Sequence, residues 1–349
     1  MQQTQTPGQM RNSSVELFRI IATFLVLIVH FNGWFVGMPD KFGDFTFPNL
    51  SQDLIEALSC TCVNCFLVIT GWYGMTFKWK HLWTIYSIIV WIYVPCYILR
   101  STLEHNFSII HLLWNFVAIG QESYYVQCYL MLLFLSPVLN SFIQKYGRKI
   151  LPYSLAFWCI EIALDWILQN KCLGFAHGYM LTHFVLMYLL GQTAFLYKEE
   201  IHRIFTPLRC VAAYITGMSI IAGLHLIIPA QICFAYTNPL NILMSFSLFF
   251  IFEHRTFYNK AINWISSSTL AVYVLHSTTP PLNWLWDWDN FALTNYTYPI
   301  YLALMALTII GVFIVSVLYD KIRLLFMPQI GNIVCNWISN KTSKYALPK

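Results

Sequence analysis

The chain has 349 residues, 58% of them AVILMFWYC and only 10% Asp, Glu, Lys or Arg, where an ordinary soluble domain carries roughly 25% charged residues. That composition excludes a soluble globule, and the 13 Trp, 21 Tyr and 27 Phe spread over the whole length exclude disordered, collagen-like and coiled-coil chains. The net charge of +5 comes with no basic stripe outside the apolar runs, so no nucleic-acid partner is expected.

Stretches of about 20 apolar residues are long enough to cross a hydrocarbon core of ~30 Å. They predict an all-α integral membrane protein, a single bundle of about ten transmembrane helices at approximately 15–36, 53–75, 79–100, 122–143, 149–169, 177–197, 207–228, 238–254, 260–280 and 297–320. The first run is long and has no small-residue cleavage site, so it is expected to stay as a membrane helix. Segment 106–119 is too short to span and reads as an interfacial or re-entrant helix. Residues 1–14 read as a cytoplasmic tail, 15–323 as the membrane domain and 324–349 as a second cytoplasmic tail.

Orientation follows from Lys and Arg. With the N-terminus cytoplasmic, the inner side holds sixteen: Arg11, Lys78, Lys80, Lys145, Arg148, Lys149, Lys198, Arg203, Arg209, Arg255, Lys260, Lys321, Arg323, Lys341, Lys344 and Lys349. The outer side holds three, Lys41, Arg100 and Lys171, beside the acids Asp40, Asp44, Glu104, Asp287 and Asp289. Both ends are therefore expected in the cytoplasm, and a bacterial inner membrane is the expected location.

The cysteines lie mostly inside apolar stretches (Cys96, Cys128, Cys159, Cys210, Cys233) and read as small buried hydrophobes. Cys60, Cys62 and Cys65 form a C-x-C-x-x-C group, but no Cys/His quartet follows at zinc-ligand spacing, so no metal is expected.

Polar residues inside the spans carry the functional information, because a charge there is costly unless compensated. The first span holds Glu16, Arg19 and His30. Eleven helical steps of about 100° bring His30 to within about 20° of the Arg19 direction and ~16 Å further along. Glu16, three before Arg19, can pair with it. Glu161 and Asp165 in the fifth span can orient a sugar or pair with His177 or His183. His276 is a further membrane histidine. The outer loop Asn283-Trp-Leu-Trp-Asp-Trp-Asp-Asn290 alternates Trp with acid and reads as an interfacial aromatic belt or as rings on which sugars stack.

The stretch from Arg11 to His30, with Arg19 and His30 separated by ten residues, resembles the opening of the membrane acyltransferase-3 family. Three further stretches agree in order: Phe66-Leu-Val-Ile-Thr-Gly-Trp-Tyr73, Tyr125-Val-Gln-Cys-Tyr-Leu-Met-Leu-Leu-Phe-Leu-Ser-Pro-Val-Leu-Asn140, which resembles the polysaccharide O-acetyltransferase branch, and Ile265-Ser-Ser-Ser-Thr-Leu-Ala-Val-Tyr-Val-Leu-His276. Where many members carry Arg-x-x-Arg, this chain has Lys78-Trp-Lys80-His81, basic but without the bidentate fork of arginine. The resemblance implies an O-acetyltransferase with His30 as catalytic base and acetyl-CoA, or another acyl-CoA, as co-substrate. Its donor would be bound by Arg19, Lys78 and Lys80. The acceptor would be a carbohydrate or lipid-linked glycan, with Glu161, Asp165 and His276 as substrate-side candidates and membrane lipid as surroundings. The alternative class is a transporter or flippase of a lipid-linked glycan, with His30, Glu161 and Asp165 as a proton relay.

Overall fold

A computed structural model describes residues 12–39, 45–117, 123–167 and 176–342. Arg11, Lys41, Lys171, Lys344 and Lys349, the side chain of Lys341, and the acids Asp40 and Asp44, all used in the charge argument, lie outside the described residues.

The described chain is helical, with no strand among the described residues. It begins with α1 (Ser13–Val29), continued by a π-helical turn His30–Trp34. The Asn12 side chain accepts from the Ser14 amide and caps the start of α1. Then come α2 (Phe47–Ser59), α3 (Cys62–Tyr73), α4 (Trp79–Leu103), the short α5 (Ile109–Val117) and α6 (Tyr124–Tyr146). These are followed by α7 (Ile150–Ile162) with its π turn Ala163–Ile167, α8 (Leu181–Leu196), α9 (Lys198–Ile204), α10 (Pro207–His225), α11 (Ala230–Cys233) and α12 (Pro239–Glu253). The last four are α13 (Lys260–Ser266), α14 (Thr269–His276), α15 (Pro281–Asn295) and α16 (Tyr298–Thr342).

Among the described residues, six helical stretches are long and apolar enough to cross a membrane: Ser13–Trp34, Phe47–Tyr73, Trp79–Leu103, Tyr124–Ile167, Pro207–His225 and Tyr298–Ile338. The count differs from the ten predicted spans for local reasons. Tyr124–Ile167 is a hairpin that folds back at Gly147, whose φ of 51° is open to glycine. The rings of Phe142 and Tyr153 meet across it at 6.2 Å, where eleven residues of straight helix would hold them ~16 Å apart. Leu181–Leu196 and Pro239–Glu253 are apolar but shorter, and the predicted span 260–280 is two short helices interrupted at Ser267 and Ser268.

Close packing sets the helix register. Gly71 of α3 and Gly191 of α8 face each other so tightly that a Cβ on Gly71 would stand 2.8 Å from the Gly191 Cα, the small-residue contact that lets membrane helices touch backbone to backbone. Helix α1 packs against α2, α3, α12, α13, α14 and α16, so its polar residues meet protein from several sides.

The Trp-rich outer run lies on a helix, α15. Helix α16 runs unbroken to Thr342 over 45 residues, ~67 Å of helix. One expectation is corrected. Cys159 is exposed on α7 and Cys128 is only partly buried, while Cys60, Cys62, Cys65, Cys96, Cys210 and Cys233 are buried as expected.

Candidate active site

Two helices lying side by side build the site. α1 and the α13–α14 pair are held together at residue 13, where the Ser13 amide donates to the Phe257 carbonyl and its hydroxyl to Asn263 Oδ1 at 2.9 Å. From there each functional side chain of α1 finds a partner on its neighbour. Glu16 bonds Arg19 Nη1 at 3.0 Å and accepts from the Ser266 hydroxyl at the end of α13. Arg19 keeps 35% of its side chain exposed and lies within electrostatic reach of the rings of Tyr73, Tyr125 and Tyr129. At the other end of α1, His30 Nδ1 stands 2.7 Å from His276 Nε2, on the last residue of α14.

The second histidine fixes the hydrogen positions of the first. His276 Nδ1 lies 2.7 Å from the Val272 carbonyl, and a carbonyl only accepts, so Nδ1 carries the hydrogen. In the neutral ring His276 Nε2 then holds a bare lone pair and accepts from His30 Nδ1–H. A neutral His30 is left with its own lone pair on Nε2. His276 is 1% exposed, whereas His30 is half-buried, so the hidden ring supports the reachable one.

The π turn aims His30. Widening the helix at His30–Trp34 is a device that recurs at functional sites. It is locked from the far side by Asn32, whose amide donates to Glu56 Oε2 at 2.9 Å and to the Gln52 carbonyl at 3.0 Å. The Glu56 carboxylate lies flat on Gly33, where a Cβ would meet its oxygens at 2.8 Å. Trp34 sets its ring edge-on to His30 at 4.7 Å, and Trp286 of α15 follows at 6.5 Å from Trp34 and 5.9 Å from Phe35. On α15, Asp289 is buried against the Tyr301 hydroxyl of α16 at 3.3 Å. Burial pushes its carboxyl up to about 7, against the opposing pull of that hydrogen bond.

The remaining candidates are placed elsewhere. Glu161 Oε2 bonds His183 Nδ1 at 3.1 Å, and His183 Nε2 bonds Asn64 Oδ1 at 2.8 Å. Asp165 accepts from the His177 amide at 2.9 Å and the Thr237 hydroxyl at 3.0 Å. Of the two roles open to these acids in the sequence, the geometry displays the pairing with His183 and His177. Lys78 and Lys80 are exposed at the start of α4, a few residues after Tyr73.

Sequence reasoning singled out His276 and the Trp-rich run that holds Trp286, but not the bond of His276 to His30, and it missed Ser266, Trp34 and Glu56. Of these only Ser266 stood inside a recognisable motif; Trp34 carries no mark that separates it from the other rings of the chain.

The family model for the acyltransferase domain of the acyltransferase-3 family matches residues 12–319. No curated protein and no solved structure matches the chain. From the cap of α1 to the middle of α16, the stretch that contains Arg19, His30 and His276 is that domain, and the chain belongs to the acyltransferase-3 family of membrane acyltransferases.

Proposed function

We propose that the protein O-acetylates a carbohydrate hydroxyl, on a surface or lipid-linked glycan, with acetyl-CoA as donor and His30 Nε2 as general base. The acceptor hydroxyl gives its proton to Nε2 as its oxygen attacks the thioester carbonyl. Collapse of the tetrahedral intermediate breaks the C–S bond, and the imidazolium returns the proton to the departing thiolate. The products are the acetyl ester and coenzyme A.

The observation that carries this reading is the way the hydrogen-bond chain ends. His30 donates to His276 and His276 to the Val272 carbonyl, which cannot take a proton onward at ordinary pH. A proton accepted by His30 therefore has no side-chain route away through His276 and is available to the leaving group. That suits acid and base catalysis by one residue. It disfavours the transporter alternative, because the other members of the relay, Glu161 and Asp165, are bonded to His183 and to His177 and Thr237.

Arg19 serves the anionic part of the donor at the cytoplasmic end, with Lys78 and Lys80 as flanking cations. The ~16 Å of helix between Arg19 and His30 suits an extended pantetheine arm. Trp34 and Trp286 offer faces on which a sugar ring can stack as it approaches His30 from the outer side. This reading includes ten spans with both termini cytoplasmic, in keeping with the sixteen-to-three bias of basic residues.

Membranes containing the protein, supplied with acetyl-labelled acetyl-CoA, test the proposal. Label should appear in an alkali-labile ester on glycan and should be lost with His30→Ala. Label that reaches no glycan while a lipid-linked glycan crosses the membrane would favour the transporter.

A further inference from the structure

Away from His30, the short helix α9 meets the end of α12 and brings His202 against the adjacent Glu253 and His254, some fifty residues later in the sequence. His202, Glu253 and His254 each offer one ligand atom, and these atoms all lie within 4.8 Å of one another. Zinc-ligand spacing in the sequence gives no sign of the group. The reading of the cysteines, which led to no metal being expected, did not bear on these residues.

Two features of the geometry point to a cation. His202 Nε2 and Glu253 Oε2 are 2.8 Å apart, yet neither has a hydrogen-bond partner and both atoms are closed off from solvent. Two buried polar atoms at ion-pair distance but out of line for a hydrogen bond have the arrangement of donors to a shared positive centre. Secondly, His254 Nε2 stands 2.7 Å from the Phe205 carbonyl, so it carries the hydrogen and leaves the Nδ1 lone pair free. A carbonyl on the second ring nitrogen is the support that metal-bound imidazoles ordinarily have. The His202 and His254 rings are 4.6 Å apart, with Trp72 stacked on His202 at 6.0 Å as an apolar wall.

We propose that His202, Glu253 and His254 bind a divalent cation of the zinc class. Two imidazoles and one carboxylate are a donor set for such ions, whereas magnesium and calcium prefer oxygen alone. Three protein donors leave the fourth position of a tetrahedral ion to water. The ion braces α9 and the turn at Phe205 to the end of α12. The assignment is independent of the acyl-transfer reading.

The test uses the full chain in detergent, with any affinity tag removed, stripped with a chelator and titrated with Zn2+ against a chromophoric competitor. One Zn2+ per chain should bind, Tm should rise with Zn2+ and not with Mg2+, and Co2+ should give visible bands of a four-coordinate site. Glu253→Gln and His254→Ala should weaken binding at least roughly 10-fold, while His202→Asp, which keeps a donor, should retain most of it. The Co2+ spectrum of the unaltered chain stands even if a variant fails to fold. Absence of stoichiometric Zn2+ and of Co2+ bands overturns the proposal. So does unchanged binding in both variants, which would assign the ion to surface histidines such as His105 and His111.

Discussion

His276 Nε2 lies 2.7 Å from His30 Nδ1 across 246 residues of sequence, and this contact turns a lone histidine on the first helix into one with a defined free lone pair. The same neighbour, ten residues earlier at Ser266, holds the Glu16 that holds Arg19. One helix pair therefore positions both ends of the proposed reaction path.

His30→Ala should abolish transfer without unfolding the protein, because it removes the base from a half-buried position. His276→Leu should leave binding of both substrates near normal and lower kcat on the order of 100-fold, within the range for general-base catalysis, since His30 loses the acceptor that selects its tautomer. His276→Gln, whose amide oxygen can accept from Nδ1–H, should recover part of the rate. Adding His276→Leu to His30→Ala should cost nothing further, because the two act as a unit. Steady-state kinetics on the purified variants check all four; a large KM effect with kcat unchanged would refute the positioning role.

Arg19→Ala should weaken coenzyme A binding roughly 10- to 100-fold, the loss of a charge-assisted hydrogen bond, while the acceptor KM stays close to its original value. Arg19→Lys should fall between, as it keeps the charge but not the fork. Glu16→Gln is the control, since it removes the ion pair and leaves the guanidinium. Calorimetric titration of coenzyme A decides the matter, and tight binding by Arg19→Ala would move the anchor to Lys78 and Lys80.

Asp289 makes α15 sensitive to pH. Its carboxyl is raised from 3.8 to about 7 by burial, so between those values the unfolded chain has lost a proton that the folded chain still holds. Folding takes up a proton in that window, and stability falls as pH rises through it. The contribution is complete below the unfolded value and gone above about 7. Hydrogen exchange of residues 281–295 should accelerate from pH 5 to pH 8 beyond the intrinsic chemical rate, and Asp289→Asn should flatten that excess.

Gly71→Ala should destabilise the bundle by about 1–3 kcal/mol through overpacking, because the new Cβ would stand 2.8 Å from the Gly191 Cα. A lowered Tm in detergent, with and without the donor, is the expected result. An unaltered Tm would mean that the crossing is looser than the geometry describes.

The amino-acid sequence by itself determined what depends on neighbours along the chain. Apolar run length made the protein an all-helical membrane protein, and the periodicity of a single helix placed Arg19 and His30 on one side of α1, with Glu16 in reach of Arg19. The four ordered stretches pointed to the family. Tertiary structure alone decided which distant groups meet. The bond from His30 to His276, the pairing of Glu161 with His183 and of Asp165 with His177, the seating of Glu56 on Gly33 and the gathering of His202 with Glu253 and His254 all join different segments of the chain. Such contacts depend on the axial register and rotation of one helix against another. Those are fixed by close packing at points such as Gly71 and Gly191, a property of two surfaces together that neither helix's sequence carries alone.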